Sequence, residues 1–300
     1  MKLLQPLEIF FRNVRDGFRY SLKDVYRKTL RLDKPRLDDL LLESILYAIP
    51  NSGIKRPMIL NADETIKEIF TTNKNIARFG DGEIMVMNGD DIPFQKADKT
   101  LTMRLREIFV NKDKNIMVAT AGSYFYPNLL EIINETNPVY KHFALYSVPP
   151  LRKIAMKYMD CDSTYYEMGI NGVGGGNRFQ AWRDFFKDKK LVLTGCKEAF
   201  DSYKFNIFDT AKELNYEFVP NKHCFSEYDN ILARLKGYDK DFIHILMCGP
   251  TANILVADLT QMGFRALDLG HLAKSYDWHK RGIDMNANNG QNAVKFFAPD

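Results

Sequence analysis

The chain has 300 residues, of which 45% are apolar and 13% aromatic, enough to bury one large hydrophobic core or two smaller ones. Its 18 glycines and 12 prolines are ordinary usage, which excludes a fibrous or disordered protein. No run approaches the roughly 18 apolar residues of a membrane-spanning helix, and the N-terminus lacks the apolar region of a signal peptide. The four cysteines include no CxxC pair, which indicates reduced thiols rather than a disulfide framework or a zinc site. We therefore expect a cytoplasmic protein, either soluble or bound to a membrane surface.

The first 32 residues form a basic segment with a helical apolar stripe. Its eight basic and three acidic side chains give a charge of +5, more than the +4 of the whole chain. The apolar side chains recur at steps of three and four residues: Leu4, Leu7, Phe11, Val14, Phe18, Leu22 and Val25. Such a helix can lie in the interface of an anionic membrane. It can equally dock on its own domain or on a second subunit, and both interpretations stay open.

From about residue 62 the pattern becomes regular, with short apolar runs alternating with helical stretches. Strands are predicted at "IARF", "NIMVATA", "FALYSV", "KLVLTG", "YEFVP", "FIHILMCG" and "RALDLG". Helices are predicted at 62–72, 98–110, 127–135, 178–188, 202–214, 226–236 and 252–262. This alternation predicts an α/β, Rossmann-like domain with a mainly parallel sheet and helices on both faces. We place this domain at residues 62–300, after an N-terminal helical extension and connector at 1–61.

Ligands of open parallel sheets bind at the carboxyl ends of the strands, so the loops that follow the predicted strands are the first places to search. In "FGDGE", Asp81 and Glu83 alternate with glycines that let the backbone turn tightly. Two oxygen ligands that leave most coordination positions open suit Mg²⁺ or Mn²⁺ bridging a diphosphate. An exposed acidic turn is the alternative interpretation. Asp90 and Asp91 are interpreted as turn residues.

Three further loops carry candidate residues. "CGPTAN" closes a strand and opens a helix that Thr251 or Asn253 could cap, and the free N–H groups there suit a phosphate. "GINGVGGGNRF" resembles a dinucleotide-binding loop, but the sixth position of its glycine pattern is Asn177 and the next strand ends without the acid that would hold a ribose. It is better interpreted as a glycine-rich active-site loop with Asn177 and Arg178 as polar contacts. His271 follows the strand-like "LDLG", whereas His244 within "FIHILM" is interpreted as a hydrogen-bonded core histidine.

Two of these motifs, "ARFGDGE" and "GPTANILVADLTQMGFRALDLGHLAKSYDW", occur in an order that resembles the GT-D type glycosyltransferases, bacterial enzymes with a DXE metal motif. The resemblance covers about residues 62–282. It implies a Rossmann-like fold that binds a sugar nucleotide, typically UDP-linked, and transfers the sugar to a glycan acceptor. After the middle strand, "LTGCKEAFDSYKFNIFD" departs from the pattern of the family, which leaves the identity of the donor open.

By position, the resemblance implies that Asp81 and Glu83 hold Mn²⁺ or Mg²⁺ against the diphosphate. We predict donor contacts for residues of three motifs: Arg78, Phe79, Gly80 and Asp81; Asn177 and Arg178; and Gly249, Pro250 and Thr251. A route that inverts the anomeric carbon would need a general base, for which Asp268, His271 and Asp277 are the candidates. The acceptor would belong to bacterial surface polysaccharide or glycoprotein glycan synthesis, where lipid-linked acceptors at the inner face of the membrane would give the basic helix a role.

Two other classes of function stay open. One is a different Rossmann-like enzyme that uses NAD or S-adenosylmethionine, and the other is a non-catalytic, membrane-associated scaffold of glycan assembly. Nucleic acid is not expected as a partner, because the α/β body without the first helix is close to neutral.

Overall fold

The computed structural model describes residues 53–171, 176–287 and 290–297, together with Ile45 and Tyr47. The basic segment 1–32 therefore lies outside the described residues. The chain divides into two compact units. The larger unit contains residues 55–125, 151–284 and 296–300, and the smaller one contains 1–54, 126–150 and 285–295. In the part of the chain described, no helix combines the length and the apolar character needed to cross a bilayer.

The larger unit is built on a parallel sheet of eight strands, which confirms the predicted α/β class. In chain order, the strands are β1 (Met58–Leu60), β2 (Asn75–Phe79), β3 (Ile116–Thr120), β4 (Thr164–Glu167), β5 (Lys190–Gly195), β6 (Glu213–Phe218), β7 (Phe242–Met247) and β8 (Arg265–Asp268). Across the sheet their order is β1-β4-β3-β2-β8-β7-β5-β6. Strands β2 and β3 are buried along their whole length, as expected for a sheet covered on both faces.

Helices connect the strands. Those of eight or more residues are α1 (Ala62–Thr71), α2 (Asp81–Asn88), α3 (Lys99–Phe109), α7 (Val148–Tyr158), α8 (Gly176–Phe186), α10 (Tyr228–Leu235), α11 (Pro250–Gln261) and α12 (Leu272–Lys280). The shorter ones are α4 (Gly122–Phe125), α5 (Leu129–Asn134), α6 (Pro138–His142), α9 (Lys197–Ser202) and α13 (Gln291–Phe297). A π-helical turn occupies Phe143–Ser147, and a 3₁₀ turn occupies Cys224–Glu227.

The hydrophobic core of the larger unit contains a group of aromatic rings around Trp182. The indole is fully buried, lies edge-on to Phe70 at 5.0 Å and stacks with Phe186 at 5.5 Å between ring centroids. Its Nε1–H donates to the carbonyl of Ile170 at 2.9 Å. An aromatic side chain of this size contributes strongly to burial and needs a partner for its one polar atom, so this contact anchors α8 and the segment after β4.

The centre of the sheet positions the candidate site. Strands β2 and β8 are neighbours there, with Ile76 opposite Leu267, although about 190 residues of chain separate them. Helix α2 begins directly after β2, and α11 follows β7. Because all the strands are parallel, the loops "FGDGE", "CGPTAN" and "LDLGHL" meet at one edge of the sheet.

Two predicted elements are wrong. "FALYSV" was predicted as a strand but forms the π-helical turn that continues α6, whose N-terminus is fixed by Pro138 and by the side chain of Asn137. A short apolar run does not distinguish a strand from a buried helix. The helix predicted at 202–214 is also absent. There the Lys204 and Phe205 N–H groups donate to Asp277 at 2.7 and 3.1 Å, and the chain enters β6 at Glu213.

Two strands and several helices, among them α2, α7 and α12, were missed by the sequence analysis. Strand β1 falls inside the stretch interpreted as a connector and pairs with β4, which was not predicted either. Both are short, with three and four residues. Helix α2 was missed because glycines 80, 82 and 89 indicated a turn.

The smaller unit contains the segment around α5 and α6 and residues 285–295, which include most of α13. The side-chain oxygen of Asn137 accepts the N–H of Val139 at 3.0 Å and caps α6, while its amide nitrogen donates to Asn286 at 2.9 Å. One asparagine thus stabilises a helix start and a contact with the distant segment of the same unit.

His244 lies in the core, as predicted, on the fully buried part of β7. Its ring is edge-on to Phe264 at 5.2 Å and to Tyr238 at 6.0 Å. Contrary to our expectation, neither ring nitrogen finds a hydrogen-bond partner among the described residues. Burial, assisted by the charge of Lys240, lowers the pKa of His244 to about 4.

The lowered pKa predicts a loss of stability in mild acid. The unfolded chain takes up the histidine proton near pH 6.5, whereas the folded chain does so only near pH 4. Above pH 6.5 His244 is therefore neutral in both states and does not lower the free energy of unfolding. As the pH falls from 6.5 towards 4, the free energy of unfolding decreases by up to about 3 kcal/mol. The free energy of unfolding, measured with denaturant at pH 7.5 and at pH 5, should differ less between the two pH values for His244→Phe than for the wild type. His279→Gln removes an exposed imidazole and serves as the control; a pH dependence that is unchanged in His244→Phe would contradict the assignment.

Candidate active site

The acidic motif opens a helix. Gly80 is the N-cap of α2, Asp81 is its first residue, and Glu83 is the third, with its Oε2 accepting the Gly80 N–H at 3.0 Å. Asp81 is exposed, whereas Glu83 is partly covered. The predicted tight turn is therefore a strand-to-helix junction, and both carboxylates lie at the positive end of the helix dipole. Asp90 and Asp91 follow the left-handed Gly89 at the other end of the helix, in the turn that we expected.

A buried ion pair joins the ends of β2 and β8. Asp268 is 5% exposed and Arg78 is 8% exposed. Asp268 accepts the backbone N–H groups of Arg78 and Gly270, each at 3.1 Å, and its Oδ1 lies 3.5 Å from the Arg78 Nε. The Arg78 Nη1 also donates to the carbonyl of Met168 at 3.1 Å, beyond the end of β4. Burial raises the pKa of Asp268, and the charge of Arg78 opposes that rise.

Gly270 makes room for the guanidinium. It adopts φ +48°, and a Cβ at this position would lie 1.7 Å from the Arg78 Nη2. A side chain here would both strain the backbone and displace the ion pair. The glycine of the "GH" motif is thus required by the position of Arg78.

Negative charge accumulates around Glu83. Burial raises the pKa of Glu83 to about 7, and the nearby charges of Asp268 and Asp81 add to this effect. The hydrogen bond from its own helix start and the charge of Arg78 oppose it. Three carboxylates that cannot all be neutralised by one arginine favour the approach of a cation.

These carboxylates fit a hard divalent cation with an open coordination sphere. Among the described residues no cluster of three or more His, Cys, Asp or Glu side chains is arranged to hold a metal ion. Asp268 is already engaged by two N–H groups, which leaves Asp81 and Glu83 as the available oxygen donors. Mg²⁺ is commonly held by one or two carboxylates together with substrate phosphates and water, so the donor set suits a cation that arrives with a diphosphate.

A cleft of about 380 Å³ opens at this edge of the sheet. The ends of five strands border it: Arg78 and Gly80 to Glu83 at β2, Met168 after β4, Gly195 of β5, Met247 to Pro250 at β7, and Asp268, Gly270 and His271 at β8. Several wall positions are glycines, namely Gly80, Gly82, Gly169, Gly195, Gly249 and Gly270. Glycines expose backbone N–H groups and allow a ligand to approach closely.

The "CGPTAN" turn places the start of α11 at the cleft. Gly249 is the N-cap, with φ +58° and ψ −145°, a conformation nearly exclusive to glycine, and Pro250 is the first helical residue. Neither Thr251 nor Asn253 caps the helix, contrary to our expectation. Asn253 is buried and donates to the carbonyl of Arg78 at 2.9 Å, which fixes α11 against β2. The uncapped helix start borders the cleft through Gly249 and Pro250.

The candidate residues therefore separate into two groups. The structure brings to the cleft the larger group: Arg78, Gly80, Asp81, Glu83, Gly249, Pro250, Asp268 and His271. Of the other candidates, Phe79, Thr251 and Arg178 do not line it. Phe79 packs in the core against Phe109 at 4.8 Å between centroids, and Thr251 is fully buried. Arg178 forms an ion pair with Asp63 at 3.2 Å. The side chain of Asn177 lies outside the described residues.

Asp277 has a structural role in α12 instead of a place in the cleft. It is 1% exposed. One carboxylate oxygen accepts two backbone N–H groups after α9, and the other accepts from Arg281 at 3.1 Å. The carboxylate does not line the cleft and is already held by three donors, which makes it a poor candidate for a general base.

Sequence reasoning missed some wall residues and one supporting acid. Phe94 and Cys224 border the cleft from segments outside the strand-end motifs. Glu167 ends the unpredicted strand β4 and accepts the N–H groups of Gly122 and Gly169, each at 2.9 Å, which fixes the neighbouring loops. The acid at the end of "TYYE" was the available signal, but β4 is too short and mixed in polarity to be recognised.

Comparison with known proteins identifies the class. The family model described as the glycosyltransferase GT-D fold matches residues 76–295. The chain therefore belongs to the GT-D glycosyltransferase family, as its motifs predicted.

Curated relatives and solved structures agree with this membership. "Glycosyltransferase GlyD" of Streptococcus pneumoniae serotype 4 is 25% identical over 93% of this chain and 34% of its own length. "Probable glycosyl transferase Gly" of Streptococcus gordonii is 24% identical over 80% of this chain and 36% of its own. The chain thus spans about a third of the length of these relatives. The structure titled "The highly conserved domain of unknown function 1792 has a distinct glycosyltransferase fold" has a TM-score of 0.69 and 23% identity, covering 86% of this chain and 97% of the other.

The fit between Gly270 and Arg78 predicts a stability effect that a matched control can isolate. Gly263 also has a positive φ, +76°, but a Cβ there would meet nothing within 4 Å. Gly263→Ala should cost about 1–2 kcal/mol of backbone strain alone. Gly270→Ala should cost about 3 kcal/mol or more, because it also displaces one partner of a buried ion pair. Denaturant unfolding of the two variants measures the difference, and equal losses would show that Arg78 moves aside without cost.

Proposed function

We propose that the chain transfers a sugar from a nucleoside-diphosphate donor, UDP-linked, to a hydroxyl of a glycan acceptor, with Mn²⁺ or Mg²⁺ held by Asp81 and Glu83. The observation that carries this proposal is the meeting of a carboxylate cluster and an uncapped helix start in one glycine-lined cleft. Family membership supports the reaction class. The diphosphate and the metal are inferred from the chemistry of the cleft, and UDP and the glycan acceptor from the family.

The diphosphate would lie between α11 and the acidic motif. At the start of α11 the backbone N–H groups and the helix dipole favour an anion, and the bare Gly249 lets phosphate oxygens approach. A divalent cation at Asp81 and Glu83 would screen the repulsion between these carboxylates and the diphosphate, and would neutralise charge that develops on the departing diphosphate. Arg78 lines the same cleft, where Asp268 balances its charge.

Transfer would proceed by attack of the acceptor hydroxyl oxygen on the anomeric carbon. The bond from that carbon to the diphosphate oxygen breaks, and its electron pair stays on the diphosphate. The hydroxyl proton passes to a general base. Of the three candidates, His271 is suited to this role, because it is exposed and borders the cleft. Asp268 instead holds Arg78 and the Gly270 N–H.

The acidic motif gives the first test of this function. Asp81→Asn removes one charged oxygen ligand, so release of UDP from UDP-sugar donors in the presence of acceptor and Mn²⁺ should fall roughly hundredfold. The thermal stabilisation by UDP plus Mn²⁺ should fall with it. Asp90→Asn changes an exposed carboxylate at the other end of the same helix and should have no effect.

Wild-type turnover in Asp81→Asn would refute the metal assignment. Stabilisation by NAD or S-adenosylmethionine in place of UDP would refute the donor class, and a failure of every nucleotide to stabilise the protein would favour a non-catalytic scaffold.

For the N-terminal segment we propose contact with an anionic membrane, where a lipid-linked glycan acceptor would be found. The support comes from the charge of +5 on residues 1–32 and their helical apolar stripe. This assignment makes the protein a peripheral one at the inner face of the cell membrane.

In the full-length chain, changing Arg12, Arg15 and Arg19 to Gln should weaken binding to phosphatidylserine-containing vesicles. Binding of the wild type should also weaken as salt rises, because screening shortens the range of the attraction. Vesicle sedimentation at several salt concentrations measures both effects. Changing three lysines of the α/β body, Lys67, Lys99 and Lys236, to Gln provides a control variant of the same net charge. If the two variants bind vesicles equally well, the N-terminal segment contacts protein and not the membrane.

A further inference from the structure

A group of aromatic rings extends from the cleft onto the edge of the sheet. We name Phe200, Tyr203, Tyr216 and Phe218 the aromatic platform. The Phe200 ring contacts Tyr216 at 5.4 Å and Phe218 at 6.5 Å between centroids, and Tyr216 stacks on Phe218 at 5.9 Å with 23° between the ring planes. Tyr203 contacts Phe200 at 6.3 Å. The four rings therefore form one continuous surface.

The platform begins inside the cleft. Phe200 and Tyr203 line it, together with Gly195 and His271. Gly195 is paired with Phe218 in the sheet, and a Cβ on Gly195 would lie 2.9 Å from the Phe200 ring. The missing side chain thus lets Phe200 settle against the sheet beside Phe218. The surface that results runs from the cleft wall to the outer strand.

The outer half of the platform is exposed. Strand β6 is the last strand in the sheet order, and Tyr216 and Phe218 are 39% and 44% exposed. Contiguous apolar rings at a surface are a feature of recognition sites, unlike single exposed apolar side chains. Interaction with the Asn206 side chain adds a polar group next to the Tyr216 hydroxyl. The Lys197 Nζ lies 5.6 Å from the Phe218 ring centroid.

Flat rings bordered by amide, hydroxyl and ammonium groups match the chemistry of a sugar chain. A pyranose has one face of C–H groups that packs on the electron-rich face of an aromatic ring, while its hydroxyl groups remain at the rim for hydrogen bonds. A second copy of this chain is a less suitable occupant, because seated on Phe200 and Tyr203 it would cover the cleft.

We propose that the aromatic platform binds the carbohydrate chain of the acceptor and directs its terminal hydroxyl into the cleft. This inference rests on the proposed function, since it assigns the acceptor of the same site. Stacking on Phe218 and Tyr216 holds sugar units outside the cleft, and Phe200 and Tyr203 receive the terminal unit.

Saturation-transfer NMR tests the proposal with the full-length protein and four disaccharides as probes: cellobiose, lactose, maltose and N,N′-diacetylchitobiose. At least one probe should receive saturation at its ring protons from the wild type. In the double variant Tyr216→Ser/Phe218→Ser the dissociation constant of that probe should rise about tenfold, because two stacking contacts are lost. Met262→Ser removes a side chain of similar exposure, 41%, at the end of α11 and should bind as the wild type does.

Stabilisation by UDP plus Mn²⁺ is measured on the same samples and should be equal in all three proteins. No saturation of any probe, or equal binding by the platform variant, would overturn the proposal while the UDP result stands on its own. Loss of a wild-type dimer in the platform variant, seen by sedimentation velocity, would also overturn it and assign the surface to self-association. If a saccharide binds but UDP plus Mn²⁺ does not stabilise the protein, the assignment of the platform stands and the assignment of a UDP donor is refuted.

Discussion

The ion pair of Arg78 with Asp268 is the interaction on which the cleft depends. It joins the ends of β2 and β8, two neighbouring strands far apart in sequence. The arginine also reaches the carbonyl of Met168, and its own carbonyl accepts from Asn253. Four parts of the wall are therefore fixed through one residue. Such a pair is costly to desolvate and is retained where it determines geometry, and here the geometry is that of the cleft floor.

The electrostatics of the cleft follow from this arrangement. Arg78 neutralises Asp268, which leaves Glu83 and Asp81 with excess negative charge beside a bare helix start. A cleft that combines negative carboxylates with the positive end of a helix suits a ligand of two parts, such as a cation bound to a phosphate chain. The sheet places the two motifs on either side of β8, and the glycines of the wall keep side chains out of the cleft.

Much of the fold was predictable, because β2, β3, β5 and β7 are apolar runs that helical patterns separate. The motifs also located most of the cleft wall, since the ends of parallel strands must meet. The sequence alone could not show that Asp277 accepts hydrogen bonds from backbone N–H groups, or that Phe79 faces the core. Both facts depend on partners that are distant along the chain. It also failed at α2, where a residue pattern typical of a turn opens a helix because Glu83 satisfies the first free N–H group.

The single carboxylate of Glu83 takes part in two interactions. The oxygen that completes the first turn of α2 belongs to the same group that faces the acidic cluster. A ligand that draws this oxygen away would remove the hydrogen bond to the Gly80 N–H at the start of α2. Binding in the cleft and the order of the first turn of α2 would then be coupled, and hydrogen exchange at the Gly80 N–H would follow that coupling.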